Sequence, residues 1–365
     1  MNIADRVERV RARLTESEAL LVSDLTNVRW LTGFTGSNGW VIVSPHRLTL
    51  VTDGRYGHQA ARQLAGAGVE ADVLVGATGA ETLAHLAAAC HGHSTTGFEA
   101  AHVSVMQHSA WLAAFSTELV PVVGVVEAER RIKDADEIKA MAHACRIADQ
   151  ALAEVAPHLG SGLTEAQVRN RLEIRMRELG ASGPSYETIV AAGPTNAALP
   201  HHRPTDTLIE SGHTVIIDVG ALVDGYHSDM TRSFVIGEPT ALQQELYEVV
   251  LAAQQAGVAA VRPGLAAKEL DAVCRDVISA AGYDDWFTHG TGHGVGLLIH
   301  EDPFSNRASE ATLQVGNVVT VEPGVYRDGF GGIRVEDLVV VTSDGCRVLT
   351  ASPKDSPCPP SLPTI

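Results

Sequence analysis

Five side chains stand out for what they could do together: Asp218, Asp229, His293, Glu322 and Glu336. The four acids lie in or beside apolar β-like runs, VIIDVG, HSDMTRSFV, NVVTVEPGVY and GGIRVEDLVVV. A charge in such surroundings is costly unless it is paired or bound to metal. Four carboxylates and one imidazole suit a pair of divalent ions. Four negative charges balance two dications, whereas a single ion would leave carboxylates to repel one another. A donor set dominated by oxygen favours a harder ion such as Mn2+ over a thiolate-type zinc site, with Co2+ or Zn2+ also compatible. Two such ions can share a water and lower its pKa, giving a hydroxide nucleophile near neutral pH.

The first two acids are placed by a hairpin. Asp224-Gly225 separates two apolar runs and favours a two-residue turn with positive φ. Pairing outward sets Tyr226 opposite Val223 and Asp229 opposite Gly220. Asp218 then shares a face with Gly220, as the diagonal neighbour of Asp229. Alone, the ribbon could equally hold one structural and one turn-proximal aspartate. The other three candidates tip that balance. His293 lies in the Gly-rich stretch HGTGHGVG, where backbones can approach closely and rings are presented without crowding. Glu322 ends a strand stopped by Pro323, and Glu336 enters another; these two strands can pair around the turn 327–332.

The elements that must carry these residues fall into two regions. Residues 1–126 alternate strands (ALLVSDL, WVIV, LTLVTD, VEADVLV, STTGFEA) with helices near 3–18, 54–66, 81–90 and 103–115, around a loop TGFTGSNG, and read as a small α/β domain. A charged connector follows. Residues 130–351 read as helix pairs feeding antiparallel ribbons. Gly162-Leu163 leads to Gly180 as Gly264-Leu265 leads to Gly282, each over 18 residues at an offset of 102. Val168, Leu172 and Met176 track Leu270, Cys274 and Ile278. This is an internal repeat, and two such halves would face each other across a cleft. Residues 352–365, rich in Pro and Ser, are expected to be a flexible tail.

Composition excludes several classes. The formal net charge is −17 with no basic stripe, against nucleic acid or an anionic membrane as partner. No apolar run reaches membrane-spanning length, and the charged, helical start is not a signal peptide. Five scattered cysteines without a CxxC pair predict a reduced, cytoplasmic protein.

The ordered series D-V-G, S-D-x-T-R, H-G-T-G-H-G-V-G, E-P-G and R-V-E-D resembles the pita-bread metallopeptidases, which include methionine aminopeptidase, aminopeptidase P and prolidase. Spacings of 11, 64, 29 and 14 residues separate the five positions, and all match the ligands of that family. The resemblance covers about 130–350. TGFTGSNG, LVTDGRY and RRIKDADEIKAM resemble the Xaa-Pro peptidase subgroup, with its extra amino-terminal domain. It implies an α+β protein: a pita-bread domain of two pseudo-symmetric halves behind a smaller α/β domain. It also implies a homodimer, a dinuclear metal centre and small proline-containing peptides as substrates.

The resemblance assigns further roles. His201, after Pro200, matches a substrate-binding histidine, with His202 the weaker candidate beside it. His300 matches the histidine that contacts the reacting carbonyl. His289 and Arg334 match a histidine lining the cleft and an arginine supporting the ligands, both grouped here with the substrate-binding residues. Glu322 would be ligand and proton shuttle. An imidazole donor beside the metals suits the charge that develops on the carbonyl oxygen. There are departures: Leu298 replaces an acidic residue of many relatives, and Phe304 stands where some prolidases have an arginine, with Arg307 three residues on. Strict dipeptide specificity is therefore not implied. A metal-free creatinase-like hydrolase and a non-catalytic peptide-binding module are the alternatives; intact ligand positions count against both.

Overall fold

The computed structural model describes residues 3–361. Contacts divide the chain into two compact units, Met1–Arg130 and Arg131–Ile365. The first is built on a six-stranded mixed sheet in the order Asp72–Gly76, Leu48–Asp53, Gly39–Val43, Glu18–Val22, Thr95–Glu99, Glu118–Val122. Leu21, Ile42 and Val51 from the sheet pack with Leu86 and Trp111 from helices in one apolar cluster. Each such side chain, fully buried, contributes about 1.5–3 kcal/mol.

Two local expectations change in this unit. The opening helix ends at Arg11, and a strand begins at Glu18. The strand expected over ALLVSDL stops at Val22, and a helix not expected from sequence, Leu25–Thr32, follows, capped by Asp24, whose side chain accepts from Thr26 N at 2.8 Å. The turn is fixed from a distance. Glu99 accepts from Ser23 N and Asp24 N at 2.6 and 2.7 Å, which no local pattern reveals.

The second unit holds the repeat. Long helices Ala135–Val155 and Ala241–Ala260 are each followed by a shorter one, Glu165–Glu178 and Ala267–Ala280, whose bounds differ by 102 residues. Val168, Leu172, Met176, Leu270, Cys274 and Ile278 are all fully buried, as a shared inward stripe requires. Capping boxes start three of the four helices: Asp134 with Glu137, Thr164 with Gln167 and Thr240 with Gln243. Ala266, before the fourth, makes no side-chain cap. Each half then supplies three neighbouring antiparallel strands. Ile189–Ala192, Thr214–Asp218 and Thr231–Val235 form one set. Gly292–Gly294, Val318–Val321 and Asp337–Val341 form the core of the other, a five-stranded sheet.

The expected loose tail is corrected over its described part. Ser352 O accepts from Arg232 Nε and Nη2 at 3.0 and 2.7 Å, and Ser352 N donates to Asp149 at 2.9 Å. Lys354 pairs with Asp337, Lys354 O accepts from Tyr247 Oη at 3.0 Å, and Pro357 O accepts from Val235 N at 2.6 Å. Proline-rich composition removes donors from this strap but leaves its carbonyls, and those are what the unit uses. Residues 362–365 lie outside the described residues. Among the described residues no helix is long and apolar enough to cross a membrane.

Candidate metal centre and cleft

The ribbon 214–235 forms in the register read from its turn. Val223 pairs with Tyr226 and Leu222 with His227, around Asp224 and Gly225 with φ of 48° and 76°. Beyond an irregular stretch the pairing resumes with Thr231 opposite Asp218, the last residue of its strand. Asp218 and Asp229 therefore share the face on which the strand ends.

The second half repeats the device. Glu322 directly follows the strand Val318–Val321, and its N donates to Thr291 O at 2.8 Å. Glu336 directly precedes Asp337–Val341, and its N donates to Thr231 O at 3.1 Å, joining the two ribbons. His293 is the middle residue of Gly292–Gly294. A Cβ on Gly292 would stand 2.1 Å from Thr320 O, so glycine is what lets this strand close on its neighbour and bring the imidazole in.

Ligand atoms of Asp218, Asp229 and Glu336 lie within 4.8 Å of one another. His293 Nε2 is 3.5 Å from Asp229 Oδ2 and 3.4 Å from Glu322 Oε1. Its Nδ1 faces Gly294 O at 3.0 Å, a contact that fixes the proton there and leaves the Nε2 lone pair toward the acids. All five sequence candidates thus meet in one place.

Their charges are poorly compensated within the protein. Arg334 supplies one cation, donating to Asp218 Oδ2 at 2.6 Å. Tyr186 reaches Asp218 and Asp229 Oδ1, the latter at 2.5 Å, but has one hydroxyl proton for two carboxylates. Burial, then the neighbouring carboxylates, holds Asp229 and Glu336 well above the usual carboxylate range. Burial likewise pushes Glu322 up to about 7. Glu336 Oε2 accepts from Thr231 Oγ1 at 2.7 Å, while Glu336 Oε1 is buried without a hydrogen-bond partner. An orphaned carboxylate oxygen among three more acids and a lone-pair nitrogen is a donor set that fits divalent cations.

The centre opens into a cavity of about 500 Å³. His201 and His300 line it, both with substantial exposure. His300 stacks edge-on against His293 with ring centroids 4.4 Å apart, and burial lowers its pKa. Ile299 and Phe304 give the wall an apolar part.

Three residues expected to bind substrate border the cavity but have other occupations. His289 faces Gly290 O through Nδ1 at 2.7 Å and Tyr326 Oη through Nε2 at 3.0 Å. His202 Nε2 is 2.9 Å from Glu165 Oε2. Arg334 is buried and spends its donors on Asp218, on Thr231 Oγ1 at 2.9 Å, on Tyr326 Oη at 2.8 Å and on Pro200 O at 3.2 Å. They brace the site from behind.

Tyr186, Thr231, Tyr326 and Glu165 were not singled out from sequence. Thr231 lay inside the quoted S-D-x-T-R stretch and could have been found there. Tyr326 likewise ends the stretch NVVTVEPGVY that carries Glu322, whereas Tyr186 and Glu165 are joined to the site only by folding.

Two family models match the chain: Metallopeptidase family M24 over residues 139–343, and Creatinase/Prolidase N-terminal domain over residues 6–132. The chain is 42% identical over 340 residues to the uncharacterized peptidase YqhT of Bacillus subtilis, covering 93% of this chain and 95% of that one. It is 42% identical over 238 residues to a Xaa-Pro dipeptidase of Pyrococcus furiosus, covering 65% and 68%. Among solved structures, the Xaa-Pro dipeptidase from Bacillus anthracis superposes with a TM-score of 0.92 at 38% identity, over 97% of this chain and 99% of that one.

Proposed function

The chain belongs to metallopeptidase family M24, and from that premise we propose that it hydrolyses the peptide bond between an N-terminal residue and proline in small peptides. The observation that carries this reading is the convergence of Asp218, Asp229, His293, Glu322 and Glu336 at the floor of a cleft. These five would hold two divalent cations, with Mn2+ favoured by the oxygen-rich donors and Co2+ or Zn2+ as substitutes. Bound there, such ions polarise a carbonyl and acidify a water.

The chain's own residues do the rest. Glu322 takes the proton from the attacking water and delivers it to the leaving nitrogen. The leaving imide nitrogen, like any amide nitrogen, departs only once it is protonated, and proline's fixed φ sets where that proton must arrive. His300 and His201 present imidazole donors to the oxygen on which charge develops. Ile299 and Phe304 pack against the substrate's apolar part. Arg334, His289 and His202 hold ligands and walls in position. We assign residues 1–126 to an amino-terminal domain and 130–351 to the catalytic domain, and place the protein as a homodimer in the cytoplasm. Its five cysteines are free, which agrees with a reducing compartment.

The test is product analysis with Ala-Pro and Ala-Pro-Ala, with Mn2+ and with chelator. Metal-dependent release of proline from Ala-Pro, or of Pro-Ala from Ala-Pro-Ala, is expected. Absence of metal-dependent cleavage of both would overturn the reading.

A further inference from the structure

Glu165 opens the helix Glu165–Glu178 and is completely buried. Its carboxylate collects five contacts from one stretch of chain. Oε1 accepts from Ala192 N at 2.7 Å and from Asn196 Nδ2 at 3.1 Å. Oε2 accepts from Thr205 N at 2.9 Å and Thr205 Oγ1 at 2.8 Å, and faces His202 Nε2 at 2.9 Å. The contacts fall at both ends of the segment 192–205 and next to His201. That segment has little regular structure to hold it: one short helix, Gly193–Asn196, then turns and loop.

The molecule contains its own control. At the offset of 102, the counterpart of Glu165 is Ala267, also the first residue of its helix and also fully buried. The surrounding backbone pattern is the same in both halves. Thr164 bridges Leu208 as Ala266 bridges Thr312, and Ile209 N donates to Leu163 O as Leu313 N donates to Leu265 O. Glu165 N donates to Thr207 O at 3.1 Å, and Ala267 N to Ala311 O at 2.9 Å. The helix pair therefore forms with alanine at this position, and the architecture does not require an acid there. A favourable helix dipole would explain an acid in the first turn, but not one sunk out of solvent under five polar contacts.

What the acid serves is the segment 192–205 of its own half; the stretch at the same offset, 294–307, contains the strand Glu301–Ser305 and is held by its sheet instead. We propose that Glu165 is a positioning residue for His201: its carboxylate clamps the 192–205 segment so that His201 projects into the cleft at a fixed place. This rests on the reading above, in which His201 meets the substrate. A hydrogen-bonded hub that holds a donor in place contributes to rate because small displacements of such a donor are costly.

The test is a double-mutant cycle on a Xaa-Pro peptide, Glu165→Gln with His201→Ala, together with metal content by elemental analysis. Glutamine keeps the shape but turns an NH2 toward donors. Glu165→Gln is expected to lose at least about tenfold in kcat/KM, with metal content unchanged because none of its contacts is a proposed ligand. The double variant should lie within about twofold of His201→Ala alone, since a residue acting through another adds nothing once that residue is gone. Losses that multiply, or near-normal turnover by Glu165→Gln, would overturn the proposal. Should that variant fail to fold, Thr205→Val removes one donor from the loop side and enters the same cycle with the same criteria. A wild-type protein inactive on every Xaa-Pro peptide would instead sink the functional reading. Full activity of His201→Ala in an active enzyme would sink the proposal through His201.

Discussion

Thr231 Oγ1, opposite Asp218 in one ribbon, donates to Glu336 Oε2 in the other at 2.7 Å. It also accepts from Arg334 Nε at 2.9 Å, and Arg334 in turn donates to Asp218 Oδ2, so the hydroxyl links Glu336 through the arginine to a ligand of the other half. Thr231→Val keeps the volume and removes the hydroxyl. Glu336 would then have neither oxygen paired in the metal-free protein. A loss of about 1–3 kcal/mol in metal-free stability is expected by denaturant unfolding. Metal affinity should fall about 10–100-fold by calorimetric titration. Unchanged stability and affinity would show that this link carries nothing.

Glu322→Gln separates chemistry from folding. The amide cannot accept and return a proton, so kcat is expected to drop by a factor of about 10²–10⁴ while circular dichroism stays as in the wild type. Turnover near that of the wild type would exclude the shuttle role.

The strap over Ser352–Pro357 should matter to the metal centre. Asp337, next to Glu336, receives Arg232 Nη2 at 2.9 Å, Gln254 Nε2 at 3.0 Å and Lys354. Arg232 Nε loses its acceptor, and Nη2 one of its two, if the chain stops at Ala351. Truncation there is expected to lower Tm by several degrees and to weaken metal retention on dialysis. A truncated protein as stable and as metal-loaded as the full chain would show the strap to be ornamental.

His289 gives the acid side of the stability profile a handle. Burial lowers its pKa from 6.5 to about 4. Between those values the unfolded chain binds more protons than the folded one, so stability falls as pH drops through that window. The shift corresponds to up to about 3 kcal/mol, lost progressively from pH 6.5 down toward pH 4. His289→Asn lacks the proton site. Its stability relative to wild type should improve as pH falls from 7 to 4.5, measured by denaturant unfolding at each pH. A difference that stays constant with pH would refute this.

The thiols should divide by burial. Cys90, Cys145 and Cys274 are buried; burial pushes the first up to about 11, the last up to about 12, and Cys145 well above its ordinary value. A thiol reagent on the native protein should modify Cys358 at once and Cys346 slowly, and reach the other three only after unfolding. Rapid native modification of Cys274 would contradict the packing of its helix.

Local chemistry settled much of this protein before folding was considered. The two-residue turn at Asp224-Gly225 set the register of the ribbon, because a side-chain period of two leaves no slack once the turn is placed. The 102-residue repeat followed from glycine punctuation and a helical apolar stripe, both short-range signals. The acids at strand ends were legible because an ionised group in an apolar run is anomalous in any fold. Other features depended on partners far away in the chain. Glu165 looks like an ordinary first-turn glutamate until Ala192, Asn196 and Thr205 converge on it. Tyr186 carries no spacing signal that would link it to Asp229, 43 residues later. The strap at 352–357 has a disordered composition but becomes fixed because Arg232 and Asp337 are already buried beneath it and need its carbonyls and its lysine. Sequence determined which groups must be compensated; tertiary structure decided by what, since hydrogen-bond partners are chosen by proximity in space and only short-range ones leave a periodic trace.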